Sequence, residues 1–366
     1  MKTSYMNRHI TNAIKGIALI LMFVHHFFTF PDWYVEGIEY PELAAFARYF
    51  CSPTKICVCI FAFLTGYFYF FSKQQTYRYS LRKITDVLVT YWIVYIPLLI
   101  LAVVLGCYQF SPSDFLLELF ALKRPVMTFC WYVYFYYIAM LLMPLIAKLS
   151  TDSLSGDIFL LIVLPVMLFG AVRSAIEVEL GWMPDVVIEI INSMQQTFPI
   201  MVFGFLFGKY TLFETVLDKI GDRFRGKRPP VILWLLMAMC AFLAKAVWHQ
   251  FTLGSIHAAG IWSDVTFSVD ILYAPLFLYG TSNLLSLLKK DGWIMKILGC
   301  IGKQSLFMWF LHCAFFNICE QYTQPILYLP QNPILVLIFG LILCYLAAIG
   351  LDPLRKWVLE KKNRYF

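Results

Sequence analysis

The sequence has few charged residues. Only 14% of its 366 residues are charged, and 61% are hydrophobic, whereas about a quarter of the residues are charged in typical soluble domains. A surface in contact with water needs polar side chains to cover the core, and a mean hydropathy of +0.72 leaves too few of them. This composition excludes a soluble globular protein and indicates a chain surrounded by lipid.

Metal-site and disulfide patterns are also missing. The ten cysteines lie almost entirely in apolar runs, without the paired spacing of zinc sites or disulfide frameworks, so no metal is expected. No signal-peptide cleavage site follows the first apolar run, and there is no internal repeat or low-complexity tract. The net charge of +7 does not indicate nucleic acid, because the basic residues follow membrane orientation instead.

Apolar runs long enough to cross a bilayer recur along the whole chain. A helix needs about 20 predominantly apolar residues for this. We therefore predict an all-α integral membrane protein in which residues 1–366 form a single transmembrane domain, a bundle of about ten helices. The predicted spans are residues 13–30, 51–71, 87–106, 129–147, 158–172, 197–210, 231–248, 265–288, 305–320 and 333–351.

The charged residues between the spans predict the orientation. With the amino terminus in the cytoplasm, the basic segments fall on the cytoplasmic side and the acidic segments outside, as the positive-inside rule requires. This predicts cytoplasmic amino and carboxyl termini in a multi-pass protein of the cell (plasma or inner) membrane. The basic segments are residues 73–83, 209–228, 289–303 and 355–364, and the acidic ones are residues 32–42 and 177–189.

The first span carries the most informative polar residues. Lys15 and His26 are 11 residues apart, about three helical turns, so both side chains lie on one face, with His26 about 16 Å deeper. Asn12 falls within about 40° of that face. A cation at the cytoplasmic mouth and an imidazole deep in the membrane suit an anionic cosubstrate and a proton transfer. The alternative is that Lys15 anchors the helix and His26 bonds a carbonyl in the bundle.

Other ionisable residues also fall inside the predicted spans, where each is a functional hypothesis by default. His312 follows Ser305 by seven residues, two helical turns, so the two share a face. A structural hydrogen bond between helices is the alternative for His312. Lys245 either extends its amine towards the outer surface or forms an ion pair with Asp270.

Five motifs follow one another along the chain. The first is Lys15-Gly16-Ile17-Ala18 with His26 11 residues after the lysine. The other four are Thr65-Gly66-Tyr67, Trp131-Tyr132 with Met143-Pro144, Phe198-Pro199 with Phe203-Gly204, and Gly302-Lys303-Gln304-Ser305 with His312. Together they resemble the membrane acyltransferases called acyltransferase family 3, in the order found in that family. One position departs from its pattern, because Asp86 stands where a basic residue is expected.

The resemblance implies an O-acyltransferase that moves an acyl group, expected to be acetyl, from cytoplasmic acyl-coenzyme A to a hydroxyl of a cell-surface or lipid-linked glycan. It implies that His26 acts as the general base or, alternatively, carries the acyl group covalently. Lys15, Arg78, Arg82 and Lys83 would bind the coenzyme A phosphates. The residues expected to support the site or bind substrate are Asn12, Ser305, His312, Lys245 and Asp270.

The predicted partners are membrane lipid, acyl-coenzyme A and the glycan acceptor, and a homo-oligomer is left open. The alternative hypothesis is a transporter or flippase for a glycan or lipid intermediate, which performs no chemistry. Such proteins often carry inverted repeats and matched pairs of helices broken by Gly or Pro. The sequence shows no convincing pair of this kind.

Overall fold

A computed structural model of the chain describes residues 5–30, 34–38, 51–179, 185–224, 229–256 and 262–363. Within these residues every regular element is helical, which confirms the all-α membrane class. The helices are α1 Arg8–Phe28, α2 Ile56–Phe70, α3 Tyr77–Val104, α4 Pro112–Leu119, α5 Trp131–Leu149, α6 Leu154–Ile158, α7 Leu164–Glu179, α8 Asp185–Lys209, α9 Leu212–Arg223, α10 Val231–Ile256, α11 Trp262–Ser286, α12 Trp293–Lys303, α13 Ser305–His312, α14 Glu320–Leu327 and α15 Pro333–Asn363. Shorter helical turns cover Ser52–Lys55, Phe159–Val163 and Cys313–Phe315.

Most of these helices can cross a membrane. Eight of the described segments are long and apolar enough, and the pair α12 and α13, interrupted at Gln304, would make a ninth. The run predicted at residues 265–288 overlaps α11, a helix of 25 residues that ends at Ser286 and also carries Asp264 and Asp270. Each predicted run thus overlaps a helix. The count of ten and the cytoplasmic placement of both termini stay predictions.

Several helix ends differ from the predicted spans. Helix α3 begins at Tyr77 rather than at residue 87, and α15 continues to Asn363 rather than ending at residue 351. The added turns are rich in Lys and Arg, which are good helix formers but are too polar to count in an apolar run. The span predicted at residues 305–320 is also corrected, because α13 ends at His312 and a separate helix begins at Glu320.

Helix α1 positions the residues of greatest interest. Asn7 caps its amino end, because the side-chain oxygen of Asn7 accepts hydrogen bonds from the backbone N–H groups of His9 and Ile10 at 3.0 Å each. The helix then runs without interruption for 21 residues. Lys15 and His26 therefore lie on the same face of α1, as their spacing predicts.

The chain forms two compact units. Unit 1 contains Met1–Met22, Ser52–Tyr77 and Leu141–Gly302. Unit 2 contains Phe23–Cys51, Arg78–Met140 and Lys303–Phe366. The last two turns of α1 belong to unit 2, together with α3, α4 and the carboxyl-terminal helices from α13 onwards.

Glycines bring two helices of unit 1 into backbone contact. A Cβ atom on Gly66 of α2 would overlap the carbonyl oxygen of Met201 in α8, and one on Gly204 of α8 would overlap the carbonyl oxygen of Phe63 in α2. Small residues allow this close approach, which is a common means of helix association in membranes. The requirement explains why glycines occupy two of the motifs that carry the family resemblance.

In unit 2, a buried carboxylate fixes the short helix α4. Glu118 has no exposed surface, and its carboxylate accepts hydrogen bonds from the hydroxyls of Tyr95 at 3.0 Å and Tyr108 at 2.6 Å. The hydroxyl of Tyr91 donates to the backbone carbonyl of Glu118 at 2.8 Å. These bonds tie α4 to α3 and satisfy a polar group that would be costly to bury alone.

Candidate active site

His26 and His312 form a hydrogen-bonded pair in unit 2, although 286 residues separate them. The Nδ1 atom of His26 lies 2.7 Å from Nε2 of His312. The two rings are parallel to within 3°, and their centroids are 4.8 Å apart. Parallel planes containing atoms 2.7 Å apart are separated by no more than that distance, which is less than the roughly 3.5 Å of face-to-face contact. The imidazoles are therefore joined edge to edge.

A backbone carbonyl decides which nitrogens of the neutral pair carry protons. The Nδ1 atom of His312 contacts the carbonyl oxygen of Trp309, which can only accept, so this Nδ1 donates. The Nε2 atom of His312 then has the lone pair that accepts the Nδ1–H of His26. This leaves the lone pair of His26 on its Nε2 atom. A neutral imidazole in this form can take a proton from a hydroxyl group.

Aromatic side chains cover the pair. The ring of Phe129 is parallel to that of His26 within 5°, at a centroid distance of 4.0 Å. Its centroid is 5.9 Å from that of His312. The ring of Phe23 lies 5.3 Å from His312 on the same measure. These apolar rings shield part of the hydrogen bond between the imidazoles from water, which strengthens it electrostatically.

The carboxyl end of α1 is anchored beside His26. The backbone carbonyl of Phe27 accepts hydrogen bonds from the hydroxyl of Tyr34 at 2.8 Å and the hydroxyl of Tyr328 at 2.7 Å. Carbonyls in the last turn of a helix lack partners within that helix. The two phenols therefore satisfy a group next to His26, and they hold the helix end in place.

A cavity of about 340 Å³ lies near the histidine pair. Phe129 lines this cavity and also packs on the ring of His26. It lies within unit 2, between the segment before α5 and the segment that joins α13 to α14. A backbone hydrogen bond of 3.2 Å from the N–H of Ile318 to the carbonyl of Pro125 connects these two segments. The residues that line the cavity are Pro125, Thr128, Phe129, Phe316, Asn317, Ile318 and Glu320.

The polar groups of this cavity are a threonine hydroxyl, a carboxamide and a carboxylate. Glu320 begins α14, outside the spanning helices, and its partial burial raises the pKa of its carboxyl group. The side-chain oxygen of Asn317 accepts a hydrogen bond of 2.7 Å from the N–H of Cys319. This bond fixes the orientation of the Asn317 carboxamide.

The basic residues predicted to bind phosphates lie at two places in the chain. Lys15 is half-buried in α1, in unit 1. In unit 2, Arg78 and Arg82 are exposed in the first turns of α3, and the Lys83 amine lies 5.7 Å from the ring centroid of Tyr79. The amino-terminal end of a helix adds a favourable dipole for an anion bound near Arg78, Arg82 and Lys83.

Asp86, the departure from the family pattern, is neutralised within unit 2. Its carboxylate forms a 3.0 Å ion pair with Lys362, and the Lys362 amine also donates to the carbonyl oxygen of Arg82 at 3.2 Å. A carboxylate that is paired in this way repels an anion less than a solitary one would. The first turns of α3 therefore keep a basic character.

The supporting residues predicted from the sequence fall into separate groups. Lys245 and Asp270, both only 8% exposed, form a direct ion pair in unit 1, so the pairing alternative for Lys245 is correct. The backbone of Asn12 packs against Gly302 of α12 in unit 1. Ser305 is buried at the start of α13, two turns before His312.

Sequence reasoning missed the cover and the neighbours of the histidine pair. Hydropathy identifies Phe129 only as the first residue of an apolar run. Cys130 and Cys313, with sulfur atoms 3.7 Å apart, are adjacent in sequence to Phe129 and His312. The sequence offered only their positions as a signal. Phe129 and Cys130 directly precede the motif Trp131-Tyr132, and Cys313 directly follows His312. Across the residues described, no group of three or more His, Cys, Asp and Glu side chains could hold a metal ion.

Comparison with known proteins gives one family. A family model described as an acyltransferase domain, that of acyltransferase family 3, matches residues 9–352. The match includes every element of the histidine pair and of the cavity, and it favours the acyltransferase hypothesis over a transporter without chemistry. No curated protein and no solved structure shows significant similarity to the chain.

Proposed function

Since the chain belongs to acyltransferase family 3 and is a multi-pass membrane acyltransferase, we propose that it transfers an acyl group, expected to be acetyl, from acyl-coenzyme A to a hydroxyl group of a glycan. The observation that carries this proposal is the His26–His312 pair beside the cavity. An imidazole with a fixed tautomer, separated from a pocket by one aromatic ring, can act as the base in acyl transfer to a hydroxyl that comes within hydrogen-bond reach of it. The donor and the glycan acceptor come from the family resemblance.

In this mechanism His26 is the general base. Its Nε2 atom takes the proton of the acceptor hydroxyl while the hydroxyl oxygen attacks the carbonyl carbon of the thioester. A carbon–oxygen bond forms, the carbon–sulfur bond breaks, and the proton passes from His26 to the departing sulfur of coenzyme A. His312 positions the base, because it holds Nδ1–H of His26 and disperses the positive charge that develops on the ring.

For the donor, we assign its phosphates to Arg78, Arg82 and Lys83 at the start of α3. Lys15 is a separate basic candidate on the face of α1 that carries His26. The orientation that the positive-inside rule predicts places all four on the cytoplasmic side, where acyl-coenzyme A is found.

The first experiment measures coenzyme A release. Purified protein in lipid nanodiscs should release coenzyme A from acetyl-coenzyme A when isolated cell-envelope glycan is added, and ester-linked acetyl should appear on the glycan. His26→Gln keeps hydrogen-bonding capacity but is not a base near neutral pH, so turnover should fall by about a hundredfold or more. Glu36→Gln, an exposed change in the loop after α1, is the control. Normal turnover in His26→Gln would refute the general-base mechanism.

A second experiment concerns Lys15. Lys15→Ala removes the positive charge of this separate candidate, so the KM for acetyl-coenzyme A should rise about tenfold, with little change in kcat. Lys148→Ala, at an exposed position near the end of α5, should leave both constants unchanged. A fall in kcat with an unchanged KM would place Lys15 in the chemical step instead.

A further inference from the structure

The cavity next to Phe129 has a lining that suits a sugar better than a lipid chain. Two aromatic rings, those of Phe129 and Phe316, border it with centroids 5.8 Å apart and a tilt of 58°. Around them stand the hydroxyl of Thr128, the carboxamide of Asn317 and the carboxylate of Glu320. An alkyl chain would offer no hydrogen bond to the hydroxyl of Thr128, the amide nitrogen of Asn317 or the carboxylate of Glu320, which is unfavourable for polar groups that line a pocket.

A pyranose ring matches this lining in both respects. Its C–H face is apolar and carries slightly positive hydrogens, which pack on the negative face of an aromatic ring. Its hydroxyls both donate and accept, so they can bond a carboxylate, a carboxamide and a hydroxyl together. The volume of about 340 Å³ is near the lower end of ligand pockets, roughly 300–1,000 Å³, which favours a single ring over an extended chain.

The position of the cavity connects it with the histidine pair. The Phe129 ring that borders it packs on His26 at a centroid distance of 4.0 Å. A ligand in the cavity thus lies one aromatic ring away from the imidazole.

We propose that this cavity is the acceptor site, in which Glu320, Asn317 and Thr128 bind the hydroxyls of one sugar ring while its apolar face packs on Phe129 or Phe316. This inference rests on the proposed function. It adds the class of acceptor group, a pyranose ring bound through a carboxylate, and the residues that determine specificity.

The test separates acceptor binding from donor chemistry. Full-length protein in nanodiscs is given acetyl-coenzyme A with methyl glucoside, methyl galactoside or methyl N-acetylglucosaminide as acceptor. Cyclohexanol serves as a ring-shaped hydroxyl compound without polar substituents. In parallel, ester-linked acetyl on envelope glycans is measured in cells that produce each variant.

Glu320→Gln and Asn317→Ala should each raise the acceptor KM about tenfold, as expected for the loss of hydrogen bonds to a charged or fixed polar group. Their KM for acetyl-coenzyme A should not change. Thr128→Trp should fill the cavity and abolish acetylation of both glycoside and envelope glycan. The matched controls Glu36→Gln and Gln321→Trp change exposed positions that do not line the cavity, and they should behave as wild type.

Different outcomes overturn different claims. If the cavity variants keep the wild-type acceptor KM and glycan acetylation, or if cyclohexanol is as good an acceptor as the glycosides, the cavity is not a sugar site, although His26→Gln can still be inactive. A wild-type protein that acetylates neither glycosides nor envelope glycan overturns the proposed function as well. Saturation by a glycoside in the wild type, with its loss in Thr128→Trp alone among the two tryptophan variants, supports the inference.

Discussion

The His26–His312 pair of unit 2 and the Lys245–Asp270 pair of unit 1 each join ionisable side chains inside apolar helices, yet they suit different tasks. Lys245 and Asp270 carry opposite charges, and each needs the other to remain charged away from water. The histidines share one hydrogen bond beside a cavity, and in their neutral form the carbonyl of Trp309 defines their tautomer. An ionisable residue in a membrane helix therefore indicates catalysis only when its partner leaves it able to exchange a proton.

The largest effect, on protein stability, is expected when the Lys245–Asp270 ion pair is broken. Lys245→Met removes the direct ion-pair partner of the buried Asp270 carboxylate, so the free energy of unfolding should fall by about 3–5 kcal/mol. The double variant Lys245→Met with Asp270→Leu should recover most of this loss, because two apolar side chains replace the pair. Thermal unfolding in detergent measures both. Coenzyme A release per folded molecule should stay near wild type.

The opposite result is equally informative. If the double variant is no more stable than the single variant, the unpaired carboxylate of Asp270 is not the cause of the stability loss in Lys245→Met. If both variants remain folded but lose acyl transfer, the pair has a role in the reaction, and its contrast with the histidines disappears.

A smaller effect is expected when the positioning histidine is removed. His312→Ala leaves His26 as a base but takes away the acceptor for its Nδ1–H. We expect kcat/KM to fall by about 10–100-fold, the range seen when a residue that orients a metal-bound histidine is removed. The acidic limb of the pH profile should also move to lower pH, because the imidazolium of His26 loses a stabilising acceptor. His312→Gln, which retains an acceptor oxygen, should recover part of the activity. A purely structural His312 would change protein stability without moving the pH profile.

The smallest effect is expected at the neighbouring histidine. His25 is 6% exposed, and its Nδ1 lies 3.3 Å from the hydroxyl of Thr29, one turn away. His25→Ala should lower stability by about 1 kcal/mol and keep most of the acyltransferase activity. Thr29→Val removes the same contact and provides the control. An inactive His25→Ala, with an active His26→Gln, would move the base to the other face of α1.

Local periodicity predicted the helices and the face shared by Lys15 and His26, because both depend on residues within a few turns of each other. It also selected His312 as a separate supporting residue. Their hydrogen bond could not be predicted, because it joins positions 286 residues apart and depends on how helices pack. Helix periodicity relates residues within one helix and carries no information on contacts between residues so far apart in the sequence.

The cavity could not be predicted from the sequence for a related reason. Three of its lining residues, Thr128, Asn317 and Glu320, lie where helices begin or end, and hydropathy gives such positions little weight. Residues 305–320 were predicted as one span, which placed Glu320 at its end. The actual interruption after His312 turns the following residues into a cavity wall.

The two tyrosine hydroxyls that bind the carbonyl of Phe27 affect how often the last turn of α1 opens, as well as where it lies. The last turn of a helix normally opens and closes at little free-energy cost. Each phenol hydrogen bond adds about 1 kcal/mol to that cost, and at about 1.4 kcal/mol per factor of ten, two of them reduce the open fraction roughly 30-fold. His26, one residue before this carbonyl, therefore stays within reach of His312 between turnovers, and each catalytic cycle starts with the base already oriented.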